Sequence, residues 1–145
     1  MRTYQRKTGQ HTLPHEAYMA TVWTIRDYYR HKIILEDKIG LSAVVSDGQP
    51  HGRSVGDPTF RQAADIYDSY AYRVVSAVDR ALQHVPEDMR TGVMDSVMTG
   101  KAYPPVPSAR TWGREKARFV YMVYYLLAQS HKDGNTGQTE CDNVI

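Results

Sequence analysis

Between Ser108 and Gln129 the chain sorts its side chains by chemistry with a helical period. At about 100° per residue, Trp112, Phe119, Val123 and Leu126 fall on one side, while Arg110, Arg114, Arg118 and Tyr121 fall within roughly an 80° sector on the other. A strand alternates its faces every second residue, so this order cannot be accommodated in a sheet. It demands a helix that buries one flank in a domain and leaves the other in water.

The same period recurs upstream. Thr12, Leu13 and Pro14 read as a helix entry, with proline in the first turn where its missing donor is harmless. Tyr18, Val22, Ile25, Tyr29 and Ile33 then predict one long helix over residues 13–40, ending near Gly40. Asp57-Pro58 opens a second helix over 58–85, with Phe60, Ala64, Tyr67, Ala71, Val74, Val78 and Leu82 along one face. Pro86-Glu87-Asp88 opens a third over 86–99, its acids placed where the helix dipole favours them. Met89, Val93, Met94, Val97 and Met98 mark its apolar side, and Tyr103-Pro104-Pro105-Val106-Pro107 cannot prolong it past Gly100. The fourth covers 108–129, with Ser108 as its cap.

Gly48, Pro50, Gly52 and Gly56 make residues 42–57 a linker. Residues 1–11 read as a flexible basic arm, and residues 131–145, which have no periodicity, as a disordered tail. The expected fold is all-α, a four-helix domain over residues 12–130 without strand-period segments or internal repeats.

A chain of 145 residues is the size of one domain and can bury a core without metal or disulfide staples. Its 41% hydrophobic and 23% charged residues are ordinary globular values, which argues against wholesale disorder. The apolar run Phe119 to Ala128 is too short to cross a bilayer, and no basic-apolar-small leader opens the chain, so neither a membrane partner nor export is expected. The single cysteine, Cys141, has no second thiol to bridge and no nearby histidine partner, which suits a reducing cytoplasm.

The formal net charge of +2 conceals an uneven distribution. Lys101, Arg110, Arg114, Lys116 and Arg118 face Glu115 alone within their segment. Arg2, Arg6 and Lys7 precede the first acid, Glu16, and the acids Asp133, Glu140 and Asp142 offset these basic regions in the total. Such asymmetry is expected of a protein that meets phosphates with one surface, although a wet arginine stripe also serves solubility alone.

Enzymatic signatures are lacking. His11 and His15 stand four apart beside Glu16, but Pro14 places the helix start between them and no second pair completes a metal site. Glu16, Asp27, Glu36, Asp37, Asp65 and Asp68 form no recognisable pair with a nucleophile or a phosphate-binding glycine loop. No catalytic residue, metal or cofactor is therefore assigned. The 11 tyrosines cluster on the helices, where they serve as core and rim residues or as a self-association surface.

His11-Thr12-Leu13-Pro14 with Tyr18, Ile25-Arg26-Asp27-Tyr28, Val85-Pro86-Glu87, Tyr103-Pro104 and Arg110-Thr111-Trp112, followed by Arg114, Lys116 and Arg118-Phe119-Val120-Tyr121, together resemble a family of small prophage-encoded proteins. These are related to late-operon transcription regulators of Gram-positive phages and resemble region 4 of sigma factors. The resemblance spans most of residues 4–127. It implies a C-terminal helix-turn-helix-like unit, a DNA-binding role in transcription regulation, and double-stranded DNA as partner in the cytoplasm of a bacterial host. RNA polymerase and a second copy of the chain are the further partners it brings into view. On that reading Arg110 and Arg114, near the start of the last helix, meet base edges in the major groove. Lys101, Lys116 and Arg118 meet phosphates, Tyr121 suits a backbone contact, and Ser108 helps offer backbone amides to a phosphate. Lys116 projects nearer the apolar side, where its other role is to snorkel at the edge of the core. The alternative from another class is a non-enzymatic helical protein–protein module, a phage assembly factor or an inhibitor of a host protein, whose arginines meet acidic protein surfaces.

Overall fold

The apolar rows of the sequence become helices whose buried sides meet in one core. The computed structural model describes residue 5 and residues 10–43, 65–66 and 69–135; these are all-helical and hold no strand. Helices α1 (His15–Arg26), α2 (Tyr28–Ala43), α3 (Tyr70–Gln83), α4 (Glu87–Thr99) and α5 (Ala109–Asn135) follow in order. Helix α5 receives α1, α3 and α4, while α2 lies mainly on α3. Trp112, Phe119, Val120 and Val123 of α5 join Val22 and Ile25 of α1, Val74 and Val78 of α3, and Val93 and Val97 of α4. Burial of this apolar surface is what stabilises helices whose individual propensities would be marginal.

Local chemistry sets the helix ends. Pro14 and Pro86 stand just before α1 and α4, one step ahead of the first turn. Their carbonyls accept from Tyr18 N and Met89 N, each at 2.9 Å. Helix α5 is capped as expected: Ser108 Oγ accepts from Thr111 N at 3.4 Å. Helix α4 ends at Gly100, whose φ of 69° is left-handed and costs a residue without Cβ little. The connection Gly100–Ser108 that follows is longer than the three or four residues of an ordinary helix-turn-helix turn.

The helix expected over residues 13–40 is two helices, divided at Asp27 (φ −87°, ψ 1°). The Asp27 carboxylate accepts from Arg30 Nε at 2.6 Å and lies 3.1 Å from His31 Nε2. The hydrogen bond from Arg30, followed by the charges of Arg30 and His31, holds this carboxyl below its ordinary pKa. The division resets the helical phase. Tyr18, Val22 and Ile25 are buried as expected, but beyond the break Tyr28, His31 and Leu35 point inward, and Tyr29 and Ile33 are 57% and 59% exposed. A helix-period scan that runs through the break therefore assigns the wrong residues of α2 to the core.

Tyr28 shows what the new phase accomplishes. Its ring is buried between α2 and α3, and its hydroxyl donates to Asp79 Oδ1 at 2.6 Å. Burial, with help from the Asp79 hydrogen bond and charge, pushes the phenol well above its ordinary pKa. Replacing Tyr28 by Phe keeps the ring and loses only the bond to an exposed carboxylate, so urea denaturation is expected to show a loss of about 1 kcal/mol. An unchanged midpoint would mean that the bond does not hold α2 to α3.

The second expected helix, 58–85, is also divided. Asp65 and Ile66 are helical, Ser69 is a bend, and α3 starts at Tyr70. Ser69 Oγ donates to Ile66 O at 2.7 Å and accepts from Tyr72 N at 3.3 Å, the capping chemistry that makes serine a poor interior residue. Residues 44–64 lie outside the described ones, so the linker over 42–57 is described only where α2 continues past Gly40 to Ala43. Helix α5 runs past residue 129 to Asn135, which corrects the expected tail over 131–145 at its start; residues 136–145 lie outside the description. Of the expected arm over 1–11, only residues 5, 10 and 11 are described. Gln5 Nε2 donates to Leu13 O at 2.7 Å, and the His11 ring lies 5.1 Å from that of Tyr121.

Candidate nucleic-acid interface

Helix α5 lays down a buried row at Trp112, Glu115, Lys116, Phe119, Val120 and Val123, the three-and-four spacing of a helix flank pressed onto its neighbours. Rotation about the axis then brings Arg110 and Arg114 to the surface, and both are exposed. The Arg114 side chain is 67% exposed, with its Nε 4.0 Å from Glu115 Oε1, the outer limit of an ion pair. Among the described residues neither Arg110 nor Arg118 has an ion-pair or hydrogen-bond partner. Lys101 and Ser108 are exposed at the approach to the helix, and Arg118 is half-buried one turn beyond Arg114.

Two members of the expected set are elsewhere. Lys116 is only 7% exposed, so it does not belong to the open arginine row. Burial, and secondarily the charge of Arg26, pushes its ammonium below the ordinary lysine pKa. Tyr121 is half-buried, packed on the core and against His11, so its ring supports the N-terminal segment rather than standing free beside the arginines. The correction for Lys116 was available from spacing: residues 115 and 116 fall between Trp112 and Phe119 on the same flank, and only their charge hides this.

Helix α1 adds a cation that sequence reading did not single out. Arg26 Nε donates to Val97 O at 2.9 Å, and its guanidinium lies 4.9 Å from the Trp23 ring centroid. Val97 is in the last turn of α4, where carbonyls lack helical partners and the helix dipole favours a cation. Arg26 thus ties α1 to the end of the helix that leads into the connection and α5.

The site residues therefore divide into an open set, Lys101, Ser108, Arg110 and Arg114, a flanking Arg118, and an inner set, Lys116 and Tyr121. An open row of guanidinium groups can bind oxygen anions bidentately, whereas the inner residues act through the fold or through whatever reaches them. Among the described residues no helix is long and apolar enough to cross a membrane. Comparison with family models, curated proteins and solved structures finds no match for this chain.

Proposed function

We propose that this chain is a phage-type DNA-binding regulator of transcription that meets double-stranded DNA with α5. The observation that carries the reading is the pair Arg110 and Arg114, open to solvent near the start of a helix whose other flank is fixed in the core. Residues near the N-terminal end of a reading helix are the ones that reach base edges, and arginine pairs bidentately with guanine there. Arg118 and Lys101 add phosphate contacts, and Ser108 presents the helix start. Helix α4 and the connection Gly100–Ser108 are the supporting half of the unit, with α1, α2 and α3 as a bracing or dimerising layer.

Duplex binding followed by anisotropy across a salt series tests this. Affinity is expected to fall steeply with ionic strength, and replacing Arg110 and Arg114 together by Ala is expected to remove sequence preference at a cost of about 1–3 kcal/mol for each guanine no longer read. Binding that ignores the double substitution would refute the assignment to α5.

The exposed apolar side chains Trp23, Tyr29 and Ile33 of α1 and α2 favour a second reading, a helical protein–protein module. Recovery of a stoichiometric protein partner from nuclease-treated host lysate, with no retained DNA, would support that reading over the first. RNA polymerase recovered together with DNA would fit the regulator.

A further inference from the structure

A cleft of about 400 Å³ opens between α1, the connection and the first turns of α5, lined by Gln5, Tyr18, Tyr103, Ala109, Arg110, Gly113, Lys116 and Ala117. Its floor is a row of small residues, Ala109, Gly113 and Ala117, four apart on α5. A Cβ built at Gly113 meets nothing within 4 Å, so the cleft is open space against the helix. The rings of Tyr18 and Tyr103 belong to its walls, and Tyr103 is held in place by stacking on Trp112 at 5.9 Å with an interplanar angle of 8°.

Several polar groups of the cleft lack partners among the described residues, although Gln5 Nε2 donates to Leu13 O and the Tyr103 hydroxyl is hydrogen-bonded to Ser96. Lys116 is 7% exposed, yet among the described residues no carboxylate or other acceptor bonds its ammonium. Tyr18, 3% exposed, has no partner for its hydroxyl among the described residues, and Gln5 Oε1 is buried without a donor. Arg26 is close enough to disfavour the charge on Lys116, and Arg110 adds a further cation to the lining. Lys116 and Arg110 both line this apolar cleft and neither has a counter-charge among the described residues, an unfinished electrostatic arrangement.

We propose that this cleft is a binding site for a small organic anion, one carboxylate or phosphate group on a flat apolar body. The anionic head pairs with Lys116 and accepts from the Tyr18 hydroxyl, Arg110 closes the mouth, and the body lies on Ala109, Gly113 and Ala117 beside the Tyr103 ring. The volume is within the range of small-molecule sites, and the mixture of apolar walls with few convergent polar groups is their usual composition. This site shares Arg110 with the DNA reading but rests on Lys116 and Tyr18, so the two can fail separately.

Titration of the full chain with benzoate, phenyl phosphate and the neutral benzyl alcohol, followed by amide chemical shifts, tests it. Both anions are expected to give saturable shifts at the residues lining the cleft, with benzyl alcohol weaker by about tenfold or more. If only one anion binds, the proposal stands and the head is assigned to a carboxylate or a phosphate accordingly. Lys116→Met, which keeps an apolar stem in place, is expected to weaken anion binding about tenfold or more. Gly113→Leu, which fills the floor, is expected to abolish it without loss of helical circular dichroism. Absence of saturable binding by either anion, equal binding of the alcohol, or unchanged anion affinity in Lys116→Met would each overturn the proposal.

Discussion

Gly92→Ala is expected to lower the stability of this protein by about 2 kcal/mol, against the usual sign for a helical glycine. In an open helix the exchange is favourable by about 0.5–1 kcal/mol, because alanine has less chain entropy to lose. Gly92 lies inside α4, and a Cβ placed there would come within 2.6 Å of Trp112 Cη2 and 2.7 Å of Cζ3. The indole is 3% exposed and stacked on Tyr103, so it has little freedom to yield. Gly113→Ala, where the new Cβ meets nothing, is the matched comparison and is expected to be neutral or stabilising. Trp112→Phe removes both clashing atoms together with an indole N–H that is buried without a partner among the described residues. The cost of Gly92→Ala should therefore largely vanish in the Trp112→Phe background, a coupling that denaturant midpoints of the four proteins in the cycle will read. If Gly92→Ala raises the midpoint, α4 and α5 do not approach as closely as the structure has them.

Lys116→Met is expected to stabilise the protein at neutral pH, by on the order of 1 kcal/mol or more, since it replaces a buried cation that has no partner among the described residues by an apolar side chain of similar length. The pH dependence gives a second, independent reading. Because burial lowers the Lys116 pKa below 10.5, the folded state holds fewer protons than the unfolded state between the lowered value and 10.5. Wild-type stability accordingly gains from this group as pH rises through that window, and the full cost of burying the charge applies below it. Lys116→Met lacks the group, so its advantage over the wild type should shrink as pH approaches 10.5. Tyr18 and Tyr103, raised above 10.0 mainly by burial, act in the opposite sense at the alkaline end. They are present in both proteins, so the difference between variant and wild type isolates the lysine. A variant that is less stable at neutral pH would show that Lys116 has a counter-charge.

How much of this was legible in advance depended on whether neighbouring turns or distant residues decided the outcome. The all-helical class, the start of α5 just after Ser108, the extent of α4 and the burial of Trp112, Phe119 and Val123 all follow from period and capping, which are local properties. The break at Asp27 does not, because Tyr18 to Ile33 continue an acceptable helical pattern straight through it, and what selects Tyr28 over Tyr29 is a bond to Asp79 on another helix. Ser69 is intermediate: a serine before Tyr70 was a capping signal, outweighed by the apolar row on either side. For the candidate interface, Arg110 and Arg114 could be placed from helical angle alone. Lys116 carries a charge that points outward by residue type while its position between Trp112 and Phe119 puts it on the buried flank. The cleft left one trace, Ala109, Gly113 and Ala117 at intervals of four, and nothing local connects that row to Tyr18 or Gln5.

The central position of α5 also bears on how the chain is made. A nascent polypeptide that stops short of Trp112 has synthesised α1 to α4 but lacks the surface that α1, α3 and α4 share. Until that segment leaves the ribosome, Val22, Val74 and Val93 have no common wall to close upon and stay available to chaperones or to other chains. Truncation before Ala109 should therefore yield an insoluble product rather than a smaller folded one, and collapse during translation must wait for the last described helix.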